Sequence, residues 1–273
     1  MKVRILTAVV LLPVFLFVIL FLPAYCTTAL FAVLMALAAY EFLWGTGMLK
    51  HPRLIIYASI MGALVSVWSG FGASYVWALL GVLLFVCLLF AEIMISNMKL
   101  PFDKVIVCGA AGLLIPFLLT ALVRMRAVAN GEFYIMIPLI VAFISDSGAY
   151  FAGRFFGSHK LAPTISPKKT VEGLVGGILT AVLFMLLYCL ILQLAFGFWV
   201  NYLAALLYGV AGSVAGAFGD LCFSAVKRQT GIKDYGNLLP GHGGILDRFD
   251  SMVIVAPLIE ILLILLPVAV KVS

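Results

Sequence analysis

Apolar residues run along this chain in long stretches, separated by short polar breaks in the first half and by two longer polar segments in the second. Runs near the roughly 20 residues that a helix needs to cross a bilayer lie at about Ile5 to Leu22, Thr27 to Leu43, Leu54 to Trp68, Ala73 to Ile95, Val105 to Val123, Tyr134 to Ala152, Leu174 to Phe196, Tyr202 to Ala225 and Met252 to Val270. The predicted architecture is all-α, a polytopic integral membrane helical bundle with about nine transmembrane helices. No repeat, low-complexity tract or long linker divides it, yet its halves differ. Residues 1–126 hold about five spans joined by chemically plain loops. Residues 127–273 read as a catalytic transmembrane region, because both long polar segments, Ser145 to Gly173 and Ser224 to Asp250, lie there.

Composition supports the membrane reading: 65% of residues are hydrophobic, 10% are charged and the mean hydropathy is +1.25, outside the range of soluble domains. The first run follows Lys2 and Arg4 as a leader peptide would, but another span comes at once, so it is expected to be a retained helix. With a cytoplasmic amino terminus, alternation puts 14 of the 17 Lys and Arg on the cytoplasmic side and leaves Arg124, Arg126 and Lys271 opposite. The positive-inside rule predicts such asymmetry. It favours an odd number of spans and turns both polar segments to the cytoplasm. The net charge of +6 is then topology plus attraction for anions, and no basic, aromatic-interleaved surface for nucleic acid is visible. The five cysteines stand singly in apolar context without metal-ligand spacing and read as packing residues.

The segment Ser224 to Asp250 gathers 7 of the chain's 28 charged residues into 27 positions. Ionisable groups clustered beside a bilayer usually mark a site for a charged ligand. Just before it, Asp220 precedes Ser224, Lys227 and Arg228 at helical spacing, so all four share one face. A metal ion on the carboxylate with phosphate on the cations is one reading, and a structural ion pair is the other. Asp247 and Asp250 stand one turn apart at the start of the last span, where helix capping competes with metal binding. Asp250 is the stronger cap and Asp247 the better metal ligand. Between Asp220 and Asp247, Pro240-Gly241-His242-Gly243-Gly244 lets backbone amides approach an anion, with Lys233 and Asp234 just upstream. The role of His242, as donor to a phosphate or base or as part of the turn, stays open.

The earlier segment supplies Asp146, Arg154, Lys160 and Ser166-Pro167-Lys168-Lys169-Thr170. Ser166 or Thr170 is placed to cap the following helix, which would set Lys168 and Lys169 near its phosphate-favouring end. These lysines also satisfy the positive-inside rule without any ligand. Glycines at Gly173 and Gly177, and at Gly212, Gly216 and Gly219, fit close helix packing. Glu41, Glu92 and Glu260 lie alone in apolar runs and are left outside the site. Walker, Rossmann, nucleophile-elbow and zinc-protease motifs are absent.

Ser224, Lys227, Arg228, Lys233, Asp234, Pro240, His242, Gly243, Gly244, Asp247, Arg248 and Asp250 together resemble the signature of the phosphatidate cytidylyltransferases, also called CDP-diacylglycerol synthases. The stretches from Asp146 to Arg154 and from Ser166 to Gly173 are similar to that family's upstream motifs. One departure is Phe223, where many members carry an acid, which leaves Asp220 with Asp247 as the minimal metal pair. The resemblance implies attack of phosphatidic acid on CTP, giving CDP-diacylglycerol and pyrophosphate. Mg2+, or a pair of metal ions, would sit on Asp220 and Asp247. Lys169, Lys227, Arg228 and Lys233 would neutralise charge, and the substrate-binding set would include Asp146, Ser166, Lys168, Ser224, Asp234, His242, Gly243, Gly244, Arg248 and Asp250.

CTP, phosphatidic acid and bilayer lipid are the expected partners, with assembly as a homodimer left open and no nucleic acid. The expected location is a membrane that the chain crosses several times, the inner membrane if the source is bacterial, with the site facing the cytoplasm. A CTP-dependent polyprenol kinase is the alternative enzyme. A CDP-alcohol phosphotransferase lacks its D-x2-D-G-x2-A-R spacing here, and a transporter is disfavoured because the polar groups gather at one face rather than at mid-depth.

Overall fold

A computed structural model describes residues 2–72 and 75–271, residues 2–8 by backbone alone. The side chains of Lys2 and Arg4, on which the topology leans, and Ala73, where a span was expected to begin, lie outside the described residues. Helices dominate: α1 (Lys2–Phe21), α2 (Ala24–Tyr40) with a π turn at Glu41–Gly45, α3 (Pro52–Phe71), α4 (Tyr75–Ile95), α5 (Phe102–Gly109) with a π turn at Ala110–Leu114, α6 (Ile115–Leu119), α7 (Ala121–Ala127), α8 (Gly131–Tyr134) and α9 (Met136–Phe156). After a hairpin of β1 (Lys160–Ala162) and β2 (Ser166–Thr170) come α10 (Val171–Phe196), β3 (Phe198–Val200), α11 (Tyr202–Gln229), α12 (Leu246–Phe249), α13 (Met252–Leu265) and β4 (Ala269–Lys271).

Seven helical segments are long and apolar enough to cross a membrane: Ala24–Gly45, Pro52–Phe71, Tyr75–Ile95, Phe102–Ala127, Gly131–Phe156, Val171–Phe196 and Tyr202–Gln229. The chain is thus an all-α polytopic membrane protein. Nine full spans are not found among the described residues: of α1 (Lys2–Phe21) only Val9–Phe21 has its side chains described, and α13 at Met252–Leu265 is shorter than a full span. At the carboxyl end the cause is local. Pro267 bars helix at the residue before it, Leu266 leaves helical geometry with φ −143°, and the expected tail of that span becomes β4, paired antiparallel with β3.

The chain forms two compact units, each built from two stretches of sequence, Met1–Ala129 with Lys227–Phe249, and Asn130–Val226 with Asp250–Ser273. In the first, α2 packs on α3, and Arg126 donates from Nε to Ile19 O at 2.7 Å and from Nη2 to Leu22 O at 2.9 Å. Those carbonyls belong to the end of α1, where helix acceptors otherwise go unused.

In the second unit, α9 packs on α10 through glycine. A Cβ at Gly173 would stand 2.8 Å from Ala149 O, and one at Gly177 would stand 2.9 Å from Ser145 O. Small residues four apart are what let two helices in lipid approach this closely. Thr170 caps α10, its hydroxyl accepting from Gly173 N at 3.1 Å. Ser145 and Ser213 share a buried hydrogen bond of 2.6 Å between α9 and α11. Gly177→Leu is therefore expected to overpack the α9 contact and destabilise the protein by about 1–3 kcal/mol, read as a lower melting temperature in detergent; an unchanged melt would contradict this packing.

Candidate active site

Helix α9 continues past the apolar run to Phe156, so the polar residues after Ser145 stay helical. Asp146, Tyr150 and Arg154 follow at four-residue steps and lie on one face. That face, the α10 amino terminus and α11 enclose a cavity of about 340 Å³, lined by Asp146, Tyr150, Arg154, Lys168, Lys169 and Asp220 among others. Its size falls in the usual range for small-molecule sites. The hairpin delivers the two lysines. β1 and β2 pair antiparallel with Lys160 opposite Thr170, and Thr170 then starts α10.

Asp220 is the polar centre of this cavity. Lys169 Nζ forms an ion pair with its Oδ2, and Ser224 Oγ donates to its Oδ1 at 3.2 Å. Lys169 Nζ also lies 3.4 Å from Ala217 O. Arg154 Nη1 donates to Tyr150 OH at 3.1 Å, which holds the guanidinium along the α9 face. Below the hairpin, Glu172 accepts from His159 N at 3.1 Å and meets His159 Nδ1 at 2.6 Å, tying the start of the hairpin to the first turn of α10. Ser166 opens β2 and does not line the cavity.

In the first unit, Asp247 is buried and its carboxylate collects three donors. Lys227 Nζ meets Oδ1 at 3.0 Å, and Tyr235 N and Gly244 N donate to Oδ2 at 2.8 and 3.0 Å. The Lys227 ammonium also stands over the Tyr235 ring, 5.3 Å from its centre. The glycines of Pro240-Gly241-His242-Gly243-Gly244 are used conformationally, with φ of +76° at Gly241 and +83° at Gly243, values that a side chain disfavours. Leu239 N and Gly243 O close the turn at 2.9 Å, and His242 N donates to Leu239 O at 2.8 Å. A Cβ on Gly243 would come 3.0 Å from Asp247 Oδ2. Arg228, Lys233, Asp234 and Arg248 are exposed, and Asp250 Oδ1 accepts from Ser251 N at 2.9 Å beside the start of α13.

The sequence-selected residues thus fall into two groups, Asp146, Lys168, Lys169, Ser224 and Asp220 in one unit, and Lys227, Gly243, Gly244 and Asp247 in the other. Phe223, at the position of the missing acid, is buried. Tyr150 was not anticipated, although its four-residue step from Arg154 was readable. Glu41 was set aside, and it too has a place. The carboxylate is buried, its Oε2 accepts from Leu246 N at 3.0 Å, and its partner lies two hundred residues away in sequence.

The donor sets bear on a metal ion differently. Asp146 and Asp220 line one cavity, and no group of three or more His, Cys, Asp or Glu suited to a metal occurs among the described residues. Two carboxylates completed by water and substrate phosphates suit Mg2+, which keeps much of its shell from such ligands. Asp247 has three of its roughly four lone-pair sites committed to protein donors, so its fit is tighter.

The profile of the cytidylyltransferase family matches residues 2–266, and the chain belongs to that family. It is 36% identical over 269 residues to the phosphatidate cytidylyltransferase of Staphylococcus epidermidis, covering 97% of this chain and 99% of the relative. It is 36% identical over 273 residues to the protein of that name in Bacillus subtilis, covering 97% and 98%, and 33% identical over 268 residues to that of Staphylococcus aureus, covering 97% and 99%.

Asp247→Ala would leave Lys227 in a buried setting without its carboxylate and two amides without their acceptor. Removing one partner of a buried pair typically destabilises by about 3–5 kcal/mol. A thermal melt in detergent should show that loss, and a melt like that of the unaltered protein would overturn the structural role of the pair.

Proposed function

We propose that this chain transfers the cytidylyl group of CTP to phosphatidic acid, giving CDP-diacylglycerol and pyrophosphate. Membership of the cytidylyltransferase family and the names of its relatives support the reaction. The observation that carries it at the level of residues is the cavity in which Asp220 and Asp146 meet Lys168, Lys169 and Arg154 at the ends of apolar helices. A membrane lipid has its phosphate at such a boundary, and a nucleotide reaches it from water.

The chemistry is in-line displacement. An oxygen of the lipid phosphate forms a bond to the α-phosphorus of CTP as the bond from that phosphorus to the bridging oxygen of the β-phosphate breaks, and the electron pair leaves with pyrophosphate. A phosphate monoester has its second pKa near 6 and is already an anionic nucleophile at neutral pH. A strong general base is not required. The protein's tasks are to hold the two anions together and to offset the charge that gathers on the leaving group.

Lys169 and Lys168 bind phosphate oxygens at the cavity, and Arg154 adds a guanidinium fixed by Tyr150. Asp220, with Asp146 beside it, would hold Mg2+, which when bound would supply positive charge to the CTP phosphates. In the other unit Asp247 keeps Lys227 and the amides of Tyr235 and Gly244 in place, and would have a lone pair left to offer a metal ion. Arg228 and Lys233, both exposed, would offer cations to phosphate. The site faces the cytoplasm of a bacterial inner membrane, a reading supported by the Lys and Arg asymmetry and by bacterial relatives.

With purified protein in detergent, Mg2+, phosphatidic acid and CTP labelled at the α-phosphorus, label is expected in a chloroform-soluble lipid, whereas γ-label is expected in pyrophosphate. Transfer of γ-label to lipid would instead indicate a CTP-dependent kinase and would sink the proposal. Asp220→Asn is expected to lower kcat by about 10²-fold or more in protein that still elutes as a folded species. Near-normal turnover would remove Asp220 from the mechanism.

A further inference from the structure

Glu41 is 2% exposed, on the π turn that ends α2. Its Oε2 accepts from Leu246 N at 3.0 Å, and its Oε1 has no hydrogen-bond partner among the described residues. Burying a carboxylate against two backbone amides, those of Leu246 and Ile245, with no cation on it is expensive, and an apolar residue of similar volume would fill the space at lower cost. Helix packing alone therefore does not account for an acid here.

Its surroundings give it a different task. A Cβ at Gly236 would come 2.6 Å from Glu41 Oε1, and one at Gly244 would collide with Oε2. The carboxylate is thus clasped between two glycines, one on each arm of the turn that carries Pro240 to Gly243. The same π turn grips the segment twice more. Phe42 stacks on Tyr235 with ring centres 5.8 Å apart, and Gly45 lies against Tyr235 O with no room for a side chain. A π turn widens one helical turn by a residue, and such turns recur at functional sites. Here it puts Glu41, Phe42 and Gly45 on one segment.

From Glu41 the contacts lead on to charge-handling groups. Gly244 N and Tyr235 N, both gripped by this turn, are the two amides that donate to Asp247 Oδ2, and Asp247 Oδ1 holds Lys227. We infer that Glu41 is a positioning residue for the reaction: its carboxylate is the template on which the segment Tyr235 to Asp247 folds, and through that segment it sets the places of Asp247 and Lys227. It touches neither substrate. The inference rests on the cytidylyl-transfer reading for its kinetic consequence, but not for its structural one.

The test compares Glu41→Ala and Glu41→Gln in the full chain in detergent, by steady-state kinetics with CTP and phosphatidic acid and by amide hydrogen exchange over residues 235–247. A displacement of about 1 Å at catalytic groups can lower turnover by about 10²-fold. Glu41→Ala is expected to lose kcat on that scale, with a smaller change in KM for CTP, and to speed exchange in residues 235–247 while the helices keep their protection. Glu41→Gln keeps an acceptor for Leu246 N and should recover turnover to within about tenfold of the unaltered protein. The inference is overturned if Glu41→Ala, normalised to folded protein, keeps kcat within threefold, if Gln is no better than Ala, or if exchange over 235–247 does not change. Should Glu41→Ala fail to fold, the Gln variant carries the kinetic comparison, and slow exchange with full turnover in Glu41→Ser would overturn the idea. If the unaltered protein makes no CDP-diacylglycerol, the functional reading fails by itself, and the exchange result still decides whether Glu41 organises the segment.

Discussion

A carboxylate on an apolar helix persists only where protein donors replace the water it has lost. Asp220 has Lys169 and Ser224, Asp247 has Lys227 and two backbone amides, and Glu92 has Tyr57 OH at 3.1 Å with Arg53 and His51 at 3.7 and 4.0 Å. Those pairings determine where loops are anchored. The hairpin is set against Asp220 by Lys169, and the glycine-rich turn is set on Asp247. Placing the charges in advance is also what phosphoryl chemistry asks of a protein, because little reorganisation is then needed when charge moves to the leaving group.

Close backbone approach is the second requirement, and glycine meets it in both units. Gly173 and Gly177 bring α10 against α9, so that Asp146, Tyr150 and Arg154 face the start of α10 rather than standing a side chain away from it. Gly236 and Gly244 do the same around Glu41. In lipid there is no hydrophobic drive between helices, so packing of this kind and the Ser145 to Ser213 hydrogen bond carry the association.

Much of this was legible in the sequence. Long apolar runs marked about nine spans, seven of which coincide with helices long and apolar enough to cross a membrane, and a Ser or Thr ahead of Val171 marked a cap, which Thr170 provides. The charged residues around Ser224 to Asp250 and Ser166 to Thr170 included the lysines that pair with Asp247 and Asp220. Three things were not legible. Pro267 turned the end of the last run into a strand, a local effect that hydropathy ignores. The stretch Asp146 to Arg154 stood where an expected apolar run ending at Ala152 overlapped a polar segment, and the one face that Asp146, Tyr150 and Arg154 share on α9 was not read from it. Glu41 looked like an isolated acid in a span because its contacts at Gly236, Gly244 and Leu246 are set by tertiary folding and not by local spacing.

The Mg2+ dependence of CTP binding, measured by calorimetry on the unaltered protein and on Asp220→Asn without lipid substrate, bears most directly on whether paired charges at this boundary form a nucleotide site. Asp220 as a metal carboxylate predicts that Mg2+ tightens CTP binding to the unaltered protein by tenfold or more, about 1.4 kcal/mol, and that Asp220→Asn loses this increment while retaining metal-free binding through its cations. An Asp220→Asn protein in which Mg2+ strengthens CTP binding as much as in the unaltered chain would contradict it.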